Sequence, residues 1–205
     1  KLPIMVSTSG FEDPKEGESF ALNAIEGDPT IEDLAGMALY WSRWDSPETW
    51  DKALEWQNKS VEKARRDSPD RVVEALSMLG ALELESGRNS EAEKTYRQIV
   101  ELSPGDSMAL NNYSYLLATL SNDPQKALPY AEEAISLAPD NPAIIDTMAT
   151  IQEKLGNYDV ALAGRLKQLD YRPQDAEVLA SIALLYSDHS ETPEKAIQFA
   201  EQASR

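Results

Sequence analysis

DRVVEALSMLGALELESGRNSEAEKTYRQIVELSP, residues Asp70–Pro104, reads as two helices and the turn between them. Val73, Leu76, Leu79 and Leu82 recur at helical spacing; Gly87 interrupts the pattern, and Ile99 and Leu102 resume it before Pro104 ends it. Moving outward, the same stretch returns. Small residues fall at Gly80, Ser114, Ala149 and Ala183, at steps of 34, 35 and 34 residues. Alanines fall at Ala92, Ala127, Ala161 and Ala196, at steps of 35, 34 and 35, and prolines fall at Pro104, Pro139 and Pro173. Three series with one period define a repeat.

Each series has a physical reason. The small residue permits a close crossing of two antiparallel helices, and the alanine does the same from the second helix. Proline lacks an N–H and clashes with the preceding turn, so it ends the second helix. Gly87 and Gly156 suit a left-handed helix end. Asp106, Asn141 and Asp175 stand where first helices need N-caps, and Pro142 follows at the favoured first helical position. Asn122-Asp123-Pro124 and Glu191-Thr192-Pro193 absorb an extra residue before the second helices of the second and fourth repeats. Pro129 lies inside one of those helices and predicts a kink at Gln125, or a helix that starts later than Pro124.

The helix–turn–helix of 34 residues with Leu79-Gly80, Gly87, Ala92, Tyr96 and Pro104 resembles the tetratricopeptide repeat. The second and third repeats are also similar to those of bacterial repeat proteins. The resemblance covers residues 70–205 and implies an all-α, right-handed solenoid of antiparallel helix pairs. The repeats are expected at about 70–104, 105–139, 140–173 and 174–205. The sequence departs from the family pattern where Leu76, Leu110, Ile145 and Leu179 replace its tryptophan. It departs again where Arg165 and Ala200 replace its usual aromatic residue. Residues 30–69 read as an irregular helix pair capping the array, entered at Thr30 and turned at Ser46-Pro47. Residues 1–29 read as a flexible tether with at most a short helix near Phe20–Ile25.

Thirty-six acidic residues face 19 basic ones, a formal charge of −17, which disfavours nucleic acid and anionic membrane as partners. Without cysteine there is no thiolate metal site, and with His189 the single histidine there is no multi-histidine site. His189 is expected in a solvated loop. No phosphate-cradling glycine loop occurs, so neither a cofactor nor an enzymatic role is expected. No 18-residue apolar run is present, which predicts a soluble chain, cytoplasmic or periplasmic.

What remains is surface. The resemblance implies that first helices line a concave groove that takes a protein or peptide. Carried onto this chain, the groove positions include Met108, Asn111, Tyr115, Asp146, Thr150, Lys154 and Leu184. Among them only Lys154 is basic, so a carboxylate clamp of several cations is not expected. Trp41, Trp44, Trp50 and Trp56 cluster in the capping pair, where sealing the end of the array is the first reading. Trp44 and Trp50 are the candidates for an exposed aromatic patch. Ile197, Ala200 and Ala203 form an apolar stripe at the other end, to be covered by further chain or by a second copy in a homodimer. The expected function is a non-catalytic scaffold. The alternatives are an accessory domain of a larger enzyme or secretion machine, or a peptide-sensing regulator.

Overall fold

The computed structural model describes residues 27–189 and 192–204, together with Glu18 and Leu22. The predicted tether and its short helix therefore lie largely outside the described residues. Among the described residues the bounded elements are ten α-helices and one 3₁₀ turn. Contacts divide the chain after Ser103 into two compact units.

The first unit holds α1 (Ile31–Trp41), α2 (Pro47–Asp67), a 3₁₀ turn (Pro69–Arg71), α3 (Val72–Glu85) and α4 (Asn89–Leu102). The second holds α5 (Ser107–Thr119), α6 (Pro124–Leu137), α7 (Pro142–Lys154), α8 (Tyr158–Tyr171), α9 (Ala176–His189) and α10 (Pro193–Ala203). Short turns join successive helices, which pack as antiparallel pairs.

Side chains at the predicted positions start these helices. Thr30 and Asp33 form a reciprocal capping box, with bonds of 3.0 and 3.1 Å. The Asp106 carboxylate accepts from the backbone N–H groups of Met108 (2.9 Å) and Ala109 (3.1 Å). Asn141 accepts from Ala143 N–H at 3.0 Å, and Asp175 from Glu177 and Val178 N–H at 3.1 and 3.2 Å. Each bond satisfies an N–H that the helix cannot. Asp106→Ala is expected to cost about 1 kcal/mol, read as a shift in the urea midpoint by far-ultraviolet circular dichroism.

The helices end as glycine permits. Gly87 (φ 76°) and Gly156 (φ 79°) are left-handed. At the first, Arg88 N–H donates back to Glu83 and Gly87 N–H to Leu84, and Asn157 and Gly156 repeat the pattern with Gln152 and Glu153. Asn122 (φ 50°) takes the same conformation between α5 and α6, where no glycine is available.

α6 runs from Pro124 to Leu137 as one continuous helix with Pro129 inside it, so it does not start later than Pro124. Pro129 removes only the bond to the Gln125 carbonyl, and Gln125 is exposed, where water replaces the lost donor. Asp123, accepting from Lys126 N–H at 3.0 Å, fixes the first turn ahead of it.

The repeated small residues Gly80, Ser114, Ala149 and Ala183 are all buried. A Cβ built on Gly80 would sit 2.9 Å from Cε2 of Tyr96, so the α3–α4 crossing is filled by that ring. In the α7–α8 pair a Cβ on Gly164 would meet the Ala149 methyl at 3.1 Å. The aromatic position of the fourth repeat is not lost with Ala200, because Phe199 packs on Val178, Ile182 and Tyr186, stacked on Tyr186 at 5.8 Å. Tyr130 serves the second repeat in the same way, edge-on to Tyr113 at 4.8 Å.

In the capping pair, Trp41 is buried with Met37, Tyr40 and Ala53. Trp44, Trp50 and Trp56 are half-buried against this cluster. Trp50 Nε1 donates to Asp45 at 2.9 Å, and Lys52 Nζ lies 3.9 Å above the Trp41 ring.

Candidate functional site

The second unit presents a cleft of about 330 Å³ between its first helices. Tyr115 and Thr119 of α5 form one wall, Asp146 and Thr150 of α7 the middle, and Glu177, Val178 and Ser181 of α9 the other wall. These helices bring one residue face together because their exposed positions recur in step with the repeat. Tyr115 is 47% exposed, a large ring with no core to fill.

The floor is set by a side chain from a second helix. Arg165 of α8 reaches between the α7 side chains, and its own side chain is only 9% exposed. Its Nε donates to Glu153 at 2.7 Å, Nη1 to Asp146, and Nη2 to Thr150 Oγ1 at 3.0 Å. Asp146 also accepts from Gln168 Nε2 at 2.8 Å. One guanidinium thus fixes three residues at successive turns of α7, which its planar fork suits and a lysine would not. Arg172, on the same cleft, pairs with Asp175 at 2.9 Å. The cleft therefore contains two cations, both paired with carboxylates, so it is rich in hydroxyls and carboxylates rather than a basic clamp.

The predicted site residues separate into two groups. Tyr115, Asp146 and Thr150 meet in the cleft. Met108, Asn111, Lys154 and Leu184 are not among its lining residues. Met108 accepts a hydrogen bond from Asn141 Nδ2 at 3.5 Å, while Leu184 projects into solvent at 62% exposure and Lys154 is exposed. Asn111 is only 5% exposed, placed beneath the surface with Nδ2 donating to Asn112 at 3.4 Å and Oδ1 without a partner. His189 closes α9 rather than standing in a loop, its ring stacked on Tyr158 at 3.4 Å. Sequence reasoning missed Arg165 as a cleft residue. The signal was present, since an arginine at an otherwise aromatic core position must find acids nearby.

Among the described residues no group of three or more His, Asp or Glu side chains is placed to hold a metal ion. No helix among them is long and apolar enough to cross a membrane.

A family model described as tetratricopeptide repeat matches residues 28–204. The chain belongs to the tetratricopeptide-repeat family. Its fold class is accordingly the all-α helical repeat solenoid, and the family supports protein or peptide partners. The tetratricopeptide-repeat match begins ahead of Thr30 and so takes in the capping pair that the sequence marks as irregular.

Among solved structures, a tetratricopeptide repeat protein from Parabacteroides merdae is similar over 98% of this chain and 77% of that one. Its TM-score is 0.74 at 16% identity. MamA from Desulfovibrio magneticus, residues 41 to the end, is similar over 85% and 96%, with a TM-score of 0.68 at 16% identity. YrrB, described as a tetratricopeptide-repeat protein with an unusual peptide-binding site, is similar over 89% and 90%, with a TM-score of 0.63 at 20% identity. At these identities the likeness is one of fold. A comparison with curated proteins gives no significant match.

Proposed function

We propose that the chain is a non-catalytic scaffold whose second unit holds an extended segment of a partner protein along its first-helix face. The observation that carries this reading is the cleft of α5, α7 and α9. It combines an exposed aromatic ring, three hydroxyls and an ion pair already satisfied within the protein. Tyr115 offers apolar contact at low entropic cost. Ser181 can donate and accept, Thr119 keeps acceptor capacity while its proton goes to the Tyr115 carbonyl, and Thr150 can donate while accepting from Arg165. This mixture suits the alternating N–H and C=O groups of a peptide backbone. Met108 and Leu184, exposed on α5 and α9, extend the same reading to apolar anchors at either side. Asn111 and Lys154 are assigned no contact by it. The peptide-binding description of YrrB supports a ligand of this class.

Peptides selected on the full chain from a random display library provide the test. Tyr115→Ala is expected to weaken the selected peptides tenfold or more by isothermal titration calorimetry, with the helical circular dichroism unchanged. Ser77→Ala, on the exposed face of α3 in the first unit, is expected to leave affinity unchanged. Equal affinity for Tyr115→Ala and the parent would reject the cleft as the binding site.

A further inference from the structure

Glu83 has no place in the groove, yet it is an unusual carboxylate for a helical repeat. It lies on α3 and is 8% exposed. The residues at the matching repeat position are Leu117, Gln152 and Tyr186, so the repeat itself requires no acid there. Leu117 and Tyr186 are buried, which marks the position as core. The Thr95 hydroxyl hydrogen-bonds to the Glu83 carboxyl, while Oε2 is buried without a partner. Burial pushes this carboxyl above the usual carboxylate range, and the charge of Glu91 adds to the rise, while the Thr95 bond and the charges of Arg88 and Lys94 oppose it. A buried acid with an unmet acceptor is costly unless something meets it.

Glu83 lines a cleft of about 330 Å³ formed by α2, α3 and α4 within the first unit. Val61, Leu76 and Leu79 supply its apolar wall, and Glu62 and Glu91 add negative charge at exposed positions. Of the two cations that line it, Arg65 is engaged by Gln98 at 3.0 Å, and Lys94 is exposed. Neither reaches Oε2.

We propose that this cleft receives a lysine side chain of a partner protein, its aliphatic stem along Val61, Leu76 and Leu79 and its ammonium on Glu83. The site is separate from the groove cleft and does not depend on it. One free oxygen favours a compact ammonium over a guanidinium, which needs two acceptors for its fork. The stem buries methylenes while the head finds the charge. Oε2 is itself shut off from solvent, so an ammonium meets it through rotation about the soft terminal carboxyl torsion, with the Thr95 bond passing to the other oxygen. Because the ammonium favours the ionised acid, binding strengthens as pH rises through the elevated titration range of Glu83.

The test titrates the full, ¹⁵N-labelled chain with the capped peptide Gly-Lys-Gly and with its norleucine counterpart, which keeps the stem and lacks the charge. The lysine peptide is expected to produce saturable amide shifts between Leu76 and Thr95, in the millimolar range proper to a single side chain. The norleucine peptide is expected to bind at least tenfold more weakly. Glu83→Gln is expected to remove the difference between the two peptides. Glu83→Leu, which installs the residue found at position 117, is expected to fold and to lose the lysine peptide as well. Equal shifts from both peptides, or lysine binding that survives Glu83→Gln, would overturn the proposal. So would tighter binding of cadaverine than of the lysine peptide, which would assign the cleft to a free diamine.

Discussion

Replacing Arg165 by leucine lowers the stability of the second unit by about 3 kcal/mol, although leucine is the more apolar residue. The guanidinium is held by Glu153, Asp146 and Thr150, and its removal strands two carboxylates on one face of α7. Gln168 is left to serve Asp146 alone. Both acids keep some water contact, their side chains being 41% and 28% exposed, so the loss stays at the lower end of the range for breaking a buried pair. Arg165→Lys recovers the charge without the fork and falls between the two. The decisive variant is Arg165→Leu combined with Asp146→Asn and Glu153→Gln, which removes the stranded charges and regains most of the loss. Hydrogen exchange of the α7 and α8 amides checks this, since faster exchange confined to those helices is the expected signature. A leucine variant as stable as the parent would show that the network contributes nothing.

Gly80→Val is expected to destabilise the first unit by about 3 kcal/mol. Even one added Cβ would stand 2.9, 3.2 and 3.3 Å from Cε2, Cζ and Cδ2 of Tyr96, a ring that is itself buried. Gly80→Ala is milder, because alanine gains roughly 0.5–1 kcal/mol of helix propensity that offsets part of the clash. All four tryptophans lie between residues 41 and 56, so their fluorescence in a denaturant titration reports the first unit selectively. Tyr96→Leu removes the ring atoms that the new Cβ would meet. The double variant Gly80→Val/Tyr96→Leu should therefore lose less than the sum of the single losses. Strict additivity would mean that the ring is not what excludes a side chain at position 80.

Much of the fold was legible because its signals are local. The caps at Thr30, Asp106, Asn141 and Asp175 act within three residues, and a left-handed glycine needs only its own backbone. Other features lay one step beyond local reading. Asn122 stands in for a glycine because its short polar side chain tolerates φ 50°, which sequence permits without requiring. Phe199 and Tyr130 fill the aromatic places from one residue earlier than the period suggests, and only packing selects which neighbour turns inward. Pro129 was legible as a breaker, yet the helix absorbs it where the affected carbonyl faces water.

The candidate sites were less legible. Periodicity names the face on which Asn111 and Tyr115 both fall, and the structure buries one and exposes the other. Arg165 and Glu83 each occupy a place that other repeats give to neutral residues. Composition marks both as surplus charge, but not which partners they reach.

By itself the sequence determined the helical repeat, its period of about 34 residues, its turns and its caps, because each follows from backbone chemistry within a few residues. Only the tertiary structure decided that Arg165 is satisfied and that Glu83 keeps an unmet oxygen. Those outcomes depend on distances between side chains far apart in the chain, which no local pattern fixes.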